Sequence, residues 1–411
     1  MPLRHLFIDM NSFFASVEQQ DDPTLRYRPV AVIPTDAPTT ACIAASYEAK
    51  AFGVKTGTPV WEARKLCPKI VFVVADHRRY VIMHNRILAA VRSVIPIESV
   101  LSIDEMSCRL MGDERTPEKV VTIAKQIKRA IRELAGDYMR CSIGAGPSVL
   151  LAKVAADMKK PDGLTTLTDA DLPHALHRLE LTDFPGVGPR MEKRLKLHGI
   201  FTVSQFCEAP AKTLADVWGS KIHGERWFRL LHGEEVASAP TRRQTVSHSH
   251  VLPPELRTDA GSYGVLMRLV HKAAARLRKI DYWCGAVSVG ASFLGAEPRD
   301  SVWWEESVRV PRCQDTPALV AAAGRLWERR IRDRTPFKVG MVLSELVPAR
   351  SATPSLFDED RQGEDISHAM DTVNAEFGAS VVYLGAMFGM RDAAPSRIAF
   401  TNIPDFDRRV S

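Results

Sequence analysis

The chain has 411 residues, 45% of them hydrophobic and 25% charged, with a formal net charge of +6 at pH 7. That length exceeds what one hydrophobic core holds and calls for roughly two to four domains, and the composition excludes a collagen-like, disordered or disulfide-stapled chain. No run reaches the ~18 apolar residues of a membrane span, and the N-terminus MPLRHLFIDMNSFF meets a carboxylate too early for a signal peptide, so a cytoplasmic protein without a membrane partner is expected. The cysteines Cys42, Cys67, Cys108, Cys141, Cys207, Cys284 and Cys313 form no CxxC and read as reduced, mostly buried thiols. Charge is uneven: residues 236–350 hold 18 basic and 11 acidic side chains, whereas 351–411 hold 5 and 10. A basic module followed by an acidic tail suits a polyanionic partner, and equally an ordinary fluctuation.

Leu3 to Ile8 is a short apolar run that meets Asp9, and helical spacing resumes through Phe14, Val17 and Glu18. This reads as a strand with a carboxylate at its C-terminal end, followed by a helix. Residues 98–111, ESVLSIDEMSCRLM, alternate on both sides of Asp104 and Glu105. Val120, Ile123, Ile127, Ala130 and Leu134 make an amphipathic stripe stopped by Gly136. Met139 to Ile143 reads as another strand, and Ser148 as the N-cap of a helix over 148–158. Short helices and tight turns occupy 166–235, the clearest turn being Pro185-Gly186-Val187-Gly188, and 236–245 is a polar linker. Residues 246–350 read as a βαββαβ module. The acidic tail 351–411 contains one expected helix, 369–378. The fold class is α+β and multidomain.

Three acids stand out: Asp9, closing a strand, and the pair Asp104 and Glu105. Neighbours in an unbroken strand point to opposite faces, so the pair converges with Asp9 only where the chain turns, as at a hairpin tip. Clustered carboxylates repel one another unless a divalent cation sits among them, and hard oxygen ligands favour Mg²⁺. Two such ions are the recurring device of in-line phosphoryl transfer. On spacing alone, a solvated Asp-Glu turn and a helix-capping Asp9 remain open.

The strings FIDMNSFFASVE (7–18), ASYEAKAFGVKTGTP (45–59), SIDE (102–105), SIGAGPSVLLAKVAADMKKPDG (142–163) and FPGVGPRMEKRL (184–195) occur in a fixed order. Together they resemble the Y-family, or translesion, DNA polymerases of the bacterial DinB and UmuC branches, over roughly residues 1–350. The resemblance implies a right-hand fold: palm in 1–20 and 75–165, fingers in 21–74, a helix-hairpin-helix thumb in 166–235, a linker in 236–245, the little finger in 246–350 and the tail beyond. It also implies that Asp9, Asp104 and Glu105 are the catalytic metal ligands, with the backbone carbonyl of Met10 adding a ligand, for two Mg²⁺ ions that Mn²⁺ could replace.

By the same resemblance Phe14 is the steric gate against a ribose 2′-OH. Phe13 beside it, Ile43 and Ala44 over the nascent base pair, and Tyr47, Lys50 and Lys160 at the triphosphate complete the nucleotide contacts. Lys50 stands where arginine is commoner, and with the tail it leans towards the UmuC branch. Lys153 is left outside this set. Gly186 and Gly188 of the thumb turn, with Arg190 and Lys193, and Arg242 and Arg243 leading into the little-finger sheet, are the DNA contacts. The stripe Arg268, Lys272, Arg276 and Lys279 is declined as a solvated helix face. Leu356 and Phe357 resemble a sliding-clamp peptide that has Thr353 at its glutamine position.

The implied activity is template-directed addition of dNTPs to a primer 3′-OH opposite damaged bases, distributive and without proofreading. The implied partners are primer-template DNA, dNTP, the sliding clamp and possible accessory subunits, in a cytoplasmic, nucleoid-associated setting. The alternative is a non-catalytic DNA- and clamp-binding accessory, against which the presence of all three acids argues.

Overall fold

The computed structural model describes residues 2–38, 40–236, 242–295, 301–352 and 358–395, with Ile398 and Ile403. They form two compact units, one built on the residues up to 236 with Ile398 and Ile403, the other on 242–395.

In the first unit, β1 (His5–Met10) is buried along its whole length. It turns through Asn11 and Ser12 into α1 (Phe13–Asp21). Ser12 adopts the left-handed region, φ 47°, so the chain reverses at once and starts α1 beside the end of β1. A smaller layer follows: β2 (Val30–Ile33), β3 (Ala44–Ala45), α2 (Tyr47–Lys50), α3 (Val60–Leu66) and β4 (Val71–Val74). Its central β2 pairs antiparallel with β3 and parallel with β4 around Ala31, Ile33, Val54 and Val60.

The chain returns through α4 (His77–Arg92), β5 (Ile97–Val100), β6 (Glu105–Arg109), α5 (Pro117–Ala135), β7 (Cys141–Gly146), α6 (Val149–Met158) and β8 (Leu164–Thr166). These complete a five-stranded sheet of order β5-β6-β1-β7-β8, with β1 antiparallel to both neighbours. Alternation along β1 sorts its side chains. Leu6, Ile8 and Met10 join the core shared with α4 and α5, while Phe7 packs against Ala152 and Ala156 of α6. Asp9 lies on the Phe7 side, facing α6. The buried stripe of α5 runs Val120, Ala124, Ile127 and Ile131, and Leu134, expected on it, is 53% exposed.

Gly144 and Gly146 let α6 close on the sheet. A Cβ on Gly144 would lie 2.0 Å from the Ala152 carbonyl oxygen, and one on Gly146 would lie 2.9 Å from the Ala152 nitrogen. Beyond β8, α7 (Pro189–Leu197), α8 (Val203–Glu208), α9 (Ala211–Trp218) and α10 (Lys221–Leu231) surround Phe184, Val187, Phe206 and Trp227. Glu235, after α10, is pinned to the sheet by Arg109 at 2.7 Å.

The second unit contains β9 (Val246–Val251), α11 (Asp259–Lys279), β10 (Tyr282–Leu294), β11 (Ser301–Cys313), α12 (Thr316–Trp327), β12 (Pro336–Ser344), the short β13 (Val347–Pro348) and α13 (Asp358–Phe377). The expected βαββαβ order forms an antiparallel sheet β11-β10-β12-β9. Its core includes Leu266, Val270, Val287, Leu326 and Trp327. Trp303, Glu305, Ser307 and Arg309 alternate on the exposed face of β11.

Two expectations need correction here. The tail helix is twice the expected 369–378, and polar and acidic side chains along it that read as solvated make tertiary contacts. Ser367 accepts from the Thr316 N–H at 2.8 Å, and Asp371 pairs with the 5%-exposed Arg278 at 2.6 Å. The basic stripe of α11 is solvated at its end, where Lys279 is exposed, but not at its start. Arg268 is 9% exposed and donates to the Ala393 carbonyl at 3.1 Å, and Lys272 donates to that of Ala394 at 3.1 Å. All seven cysteines are free and buried. Among the described residues no helix is long and apolar enough to cross a membrane.

Candidate active site

The antiparallel register of β1 and β6 sets Asp9 directly opposite Glu105. The Met10 N–H donates to the Asp104 carbonyl at 2.9 Å, and the Leu101 and Ser102 N–H groups close the turn onto the Glu105 carbonyl at 2.9 and 3.2 Å. The pair thus occupies a hairpin end, as its alternating flanks require. Asp9 is 5% exposed. The Asp104 carboxylate accepts from Ser102 Oγ at 2.6 Å. Burial, reinforced by the charge of Asp9, pushes the Asp104 and Glu105 carboxyls above the usual range, while hydrogen bonds from Ser102 and Lys153 oppose the rise.

Two ammonium groups lie among these acids. Lys153, from the middle of α6, reaches Asp9 Oδ2 at 2.8 Å and Glu105 Oε1 at 2.5 Å. Lys160 reaches Asp9 Oδ1 and Asp157 Oδ1, both at 2.7 Å. Burial alone would lower the Lys153 pKa, but the charges of Asp9 and Asp157 outweigh it and hold the group above its ordinary value. Leaving Lys153 out of the site is therefore corrected. No local sequence signal marks it, because only the seating of α6 on the sheet brings its side chain to Asp9.

Among the described residues, no three carboxylate, imidazole or thiolate groups converge as a ready-made cation site. The carboxylates close instead on ammonium nitrogens. The donor set, all hard oxygens around the buried Asp9, nevertheless fits a hard divalent cation.

Phe14 lies at the start of α1 with its ring stacked on Tyr80 of α4, centroids 4.4 Å and planes 18° apart. The Tyr80 hydroxyl donates to Glu18 Oε1 at 2.5 Å, and His77 meets both rings edge-on. Tyr80 is missing from the residues named from the sequence, because on the buried face of the amphipathic α4 it reads simply as core. Phe13, 3% exposed, turns into that core. Ser46 caps α2 by accepting from the Ala49 N–H, orienting Tyr47 and Lys50. Lys50 Nζ donates to Ser12 Oγ at 2.8 Å and sits 4.5 Å over the Tyr47 ring. Ala44 is 8% exposed, and Ile43 is half-buried against the main core.

Gly186 has φ 97°, and a Cβ there would come within 3.3 Å of the Trp227 ring, so this turn requires glycine. Gly188 precedes α7, from which Arg190 and Lys193 are exposed. Arg242 and Arg243 are exposed ahead of β9 in the second unit. Leu356 and Phe357 lie outside the described residues.

A sheet whose central strand gathers these acids at one end, with basic side chains on the same carboxylates, defines a nucleotidyl-transfer palm. Residues 8–157 match the impB/mucB/samB family, 169–200 the IMS family HHH motif, and 243–356 the C-terminal domain of the impB/mucB/samB family. The DNA polymerase IV of Moorella thermoacetica is 34% identical over 386 residues, covering 92% of this chain and 94% of that one. DNA polymerase IV 1 of Bacillus subtilis is 29% identical over 404 residues, 96% and 95% of the two chains. A solved Y-family DNA polymerase chimera superposes with a TM-score of 0.68 at 23% identity, over 84% of this chain and 99% of that one. The chain belongs to the impB/mucB/samB family, the bacterial Y-family translesion polymerases. The named relatives stand on the DNA polymerase IV side, not on the UmuC side to which Lys50 and the tail leaned.

Proposed function

We propose that Asp9, Asp104 and Glu105, with the carbonyl of Met10, hold two Mg²⁺ ions at the junction of β1 and β6, and that Mn²⁺ can replace them. The chain is a DNA-directed DNA polymerase of the translesion type, adding dNTPs to a primer 3′-OH. The observation that carries the site assignment is the register of Asp9 against Glu105, with Lys160 on the same Asp9 carboxylate. When bound, the ions lower the pKa of the primer hydroxyl and neutralise the triphosphate.

The protein's own groups do the rest. Lys160, Lys50 and Tyr47 hold triphosphate oxygens, lysine acting as a compact point charge. Phe14, held against Tyr80, denies space to a 2′-OH. Ile43 and Ala44 cover the nascent base pair. Gly186, Gly188, Arg190 and Lys193 approach DNA phosphates, as do Arg242 and Arg243, giving sequence-independent, salt-sensitive contacts. Leu356 and Phe357 fill an apolar pocket of the sliding clamp. Synthesis is distributive, without proofreading, in the cytoplasm.

Primer extension on undamaged and abasic templates, for the wild type and the Asp104→Ala/Glu105→Ala variant, tests the reading. Extension by the wild type that vanishes in the variant is expected. Equal extension by both proteins would overturn the ligand assignment.

A further inference from the structure

Lys153 holds the most central cation of the site. Its Nζ lies 2.8 Å from Asp9, 2.5 Å from Glu105 and 3.5 Å from Asp157. An ammonium has three N–H donors and no acceptor, so these carboxylates can take all three. The nitrogen also sits 5.0 Å over the ring of Phe7, the neighbour of Asp9 on the same face of β1. The side chain is only 18% exposed.

Two of the acids assigned above to the metal ions are therefore joined through a single positive nitrogen. A divalent cation reaching Asp9 and Glu105 together must enter where a like charge already stands. Asp157 offers that charge an alternative. It lies one helical turn further along α6, the i+4 neighbour of Lys153, and already has Lys160 at 2.7 Å.

We propose that Lys153 is the resident counter-ion of the carboxylate cluster: it binds Asp9 and Glu105 together in the metal-free protein and withdraws towards Asp157 when a divalent cation enters. Metal affinity is then set by competition with this ammonium, and the acids are spared the repulsion they would suffer unaccompanied. The inference rests on the assignment of Asp9, Asp104 and Glu105 as metal ligands. It adds a residue that positions those ligands without touching substrate.

The test is Mn²⁺ binding to the full chain without DNA, read as the loss of the free-ion electron paramagnetic resonance signal. The proteins are the wild type, Lys153→Met, Lys153→Arg and Asp104→Ala/Glu105→Ala. Removing one like charge at contact distance in a partly screened site should tighten Mn²⁺ binding by roughly tenfold in Lys153→Met. Lys153→Arg, which keeps the charge, should stay near the wild type. Metal-free Lys153→Met should also melt at a lower temperature and gain more from added Mn²⁺. Equal or weaker Mn²⁺ binding by Lys153→Met overturns the proposal. If that variant does not fold without metal, Lys153→Gln takes its place under the same expectations. Asp104→Ala/Glu105→Ala separates the two readings: if it binds Mn²⁺ like the wild type, the ligand assignment fails, whereas loss of binding there without tightening in Lys153→Met sinks this inference alone.

Discussion

Phe14 lies flat on Tyr80, 4.4 Å between ring centroids, and Tyr80 is wholly buried with its hydroxyl on Glu18. The proposed sugar gate is thus backed by a side chain from a helix more than sixty residues away. Phe14→Ala should raise ribonucleotide incorporation relative to deoxynucleotide by at least about tenfold, or ~1.4 kcal/mol of discrimination. Tyr80→Leu should lower discrimination with Phe14 intact, and cost roughly 2–3 kcal/mol of stability by leaving a cavity. Single-nucleotide insertion kinetics with dNTP and rNTP, beside denaturant melts, check both. Unchanged discrimination in Tyr80→Leu would mean that the gate ring needs no backing.

Gly144 controls how closely α6 approaches the sheet. A Cβ there would fall 2.0 Å from the Ala152 carbonyl oxygen, so Gly144→Ala must lift the helix that carries Lys153. A stability loss of about 1–3 kcal/mol is expected from overpacking, with primer extension reduced further than by Ala322→Val at a similarly buried position in the core of the second unit. Urea unfolding and extension rates measured on the same preparations decide it.

In the second unit, burial holds His248 and His271 neutral and lowers each pKa to about 4, with Lys272 and Arg276 adding to the effect on His248, and Arg268 and Arg278 to that on His271. The unfolded chain takes up these protons near the ordinary value of about 6.5. Between there and pH 4 it binds more protons than the folded protein, so stability falls as the pH drops through that window. The loss should be of order a few kcal/mol for the two groups together. Melting curves from pH 7 to pH 4 should show it, and His248→Gln/His271→Gln should flatten the dependence. A slope unaltered in the double variant would reject the assignment.

Arg278 is 5% exposed and holds Asp371 of α13 through two nitrogens, at 2.6 and 2.8 Å. Removing only the acid leaves the buried guanidinium without its counter-charge, though still donating to the Gln314 carbonyl and Thr316 Oγ1, so Asp371→Ala should cost roughly 1–3 kcal/mol and make α13 an early site of proteolysis. Limited digestion followed by mass spectrometry reads this directly. Cleavage elsewhere first would mean that other contacts hold the helix.

Much of the architecture is legible in the sequence, because it is local. Alternation around Asp104 and Glu105 announces the hairpin, the cap at Ser148 starts α6, and the strand–helix order of 246–350 gives the second unit. Asp9, Glu105 and Lys160 are legible as a set from the family strings, and the register then explains how they meet. Lys153, Tyr80 and the burial of Arg268 are not legible in this way. Each depends on which face of a helix another element covers, and helical periodicity identifies a face without naming its partner. For α13 the difficulty is sharper. Its acidic residues favour solvent on their own, and only a buried arginine on another helix makes one of them an anchor. Sequence by itself determined the elements and the chemistry they carry. Tertiary structure decided which charges share a nitrogen, because ion pairing depends on separations of a few ångströms between residues far apart in the chain.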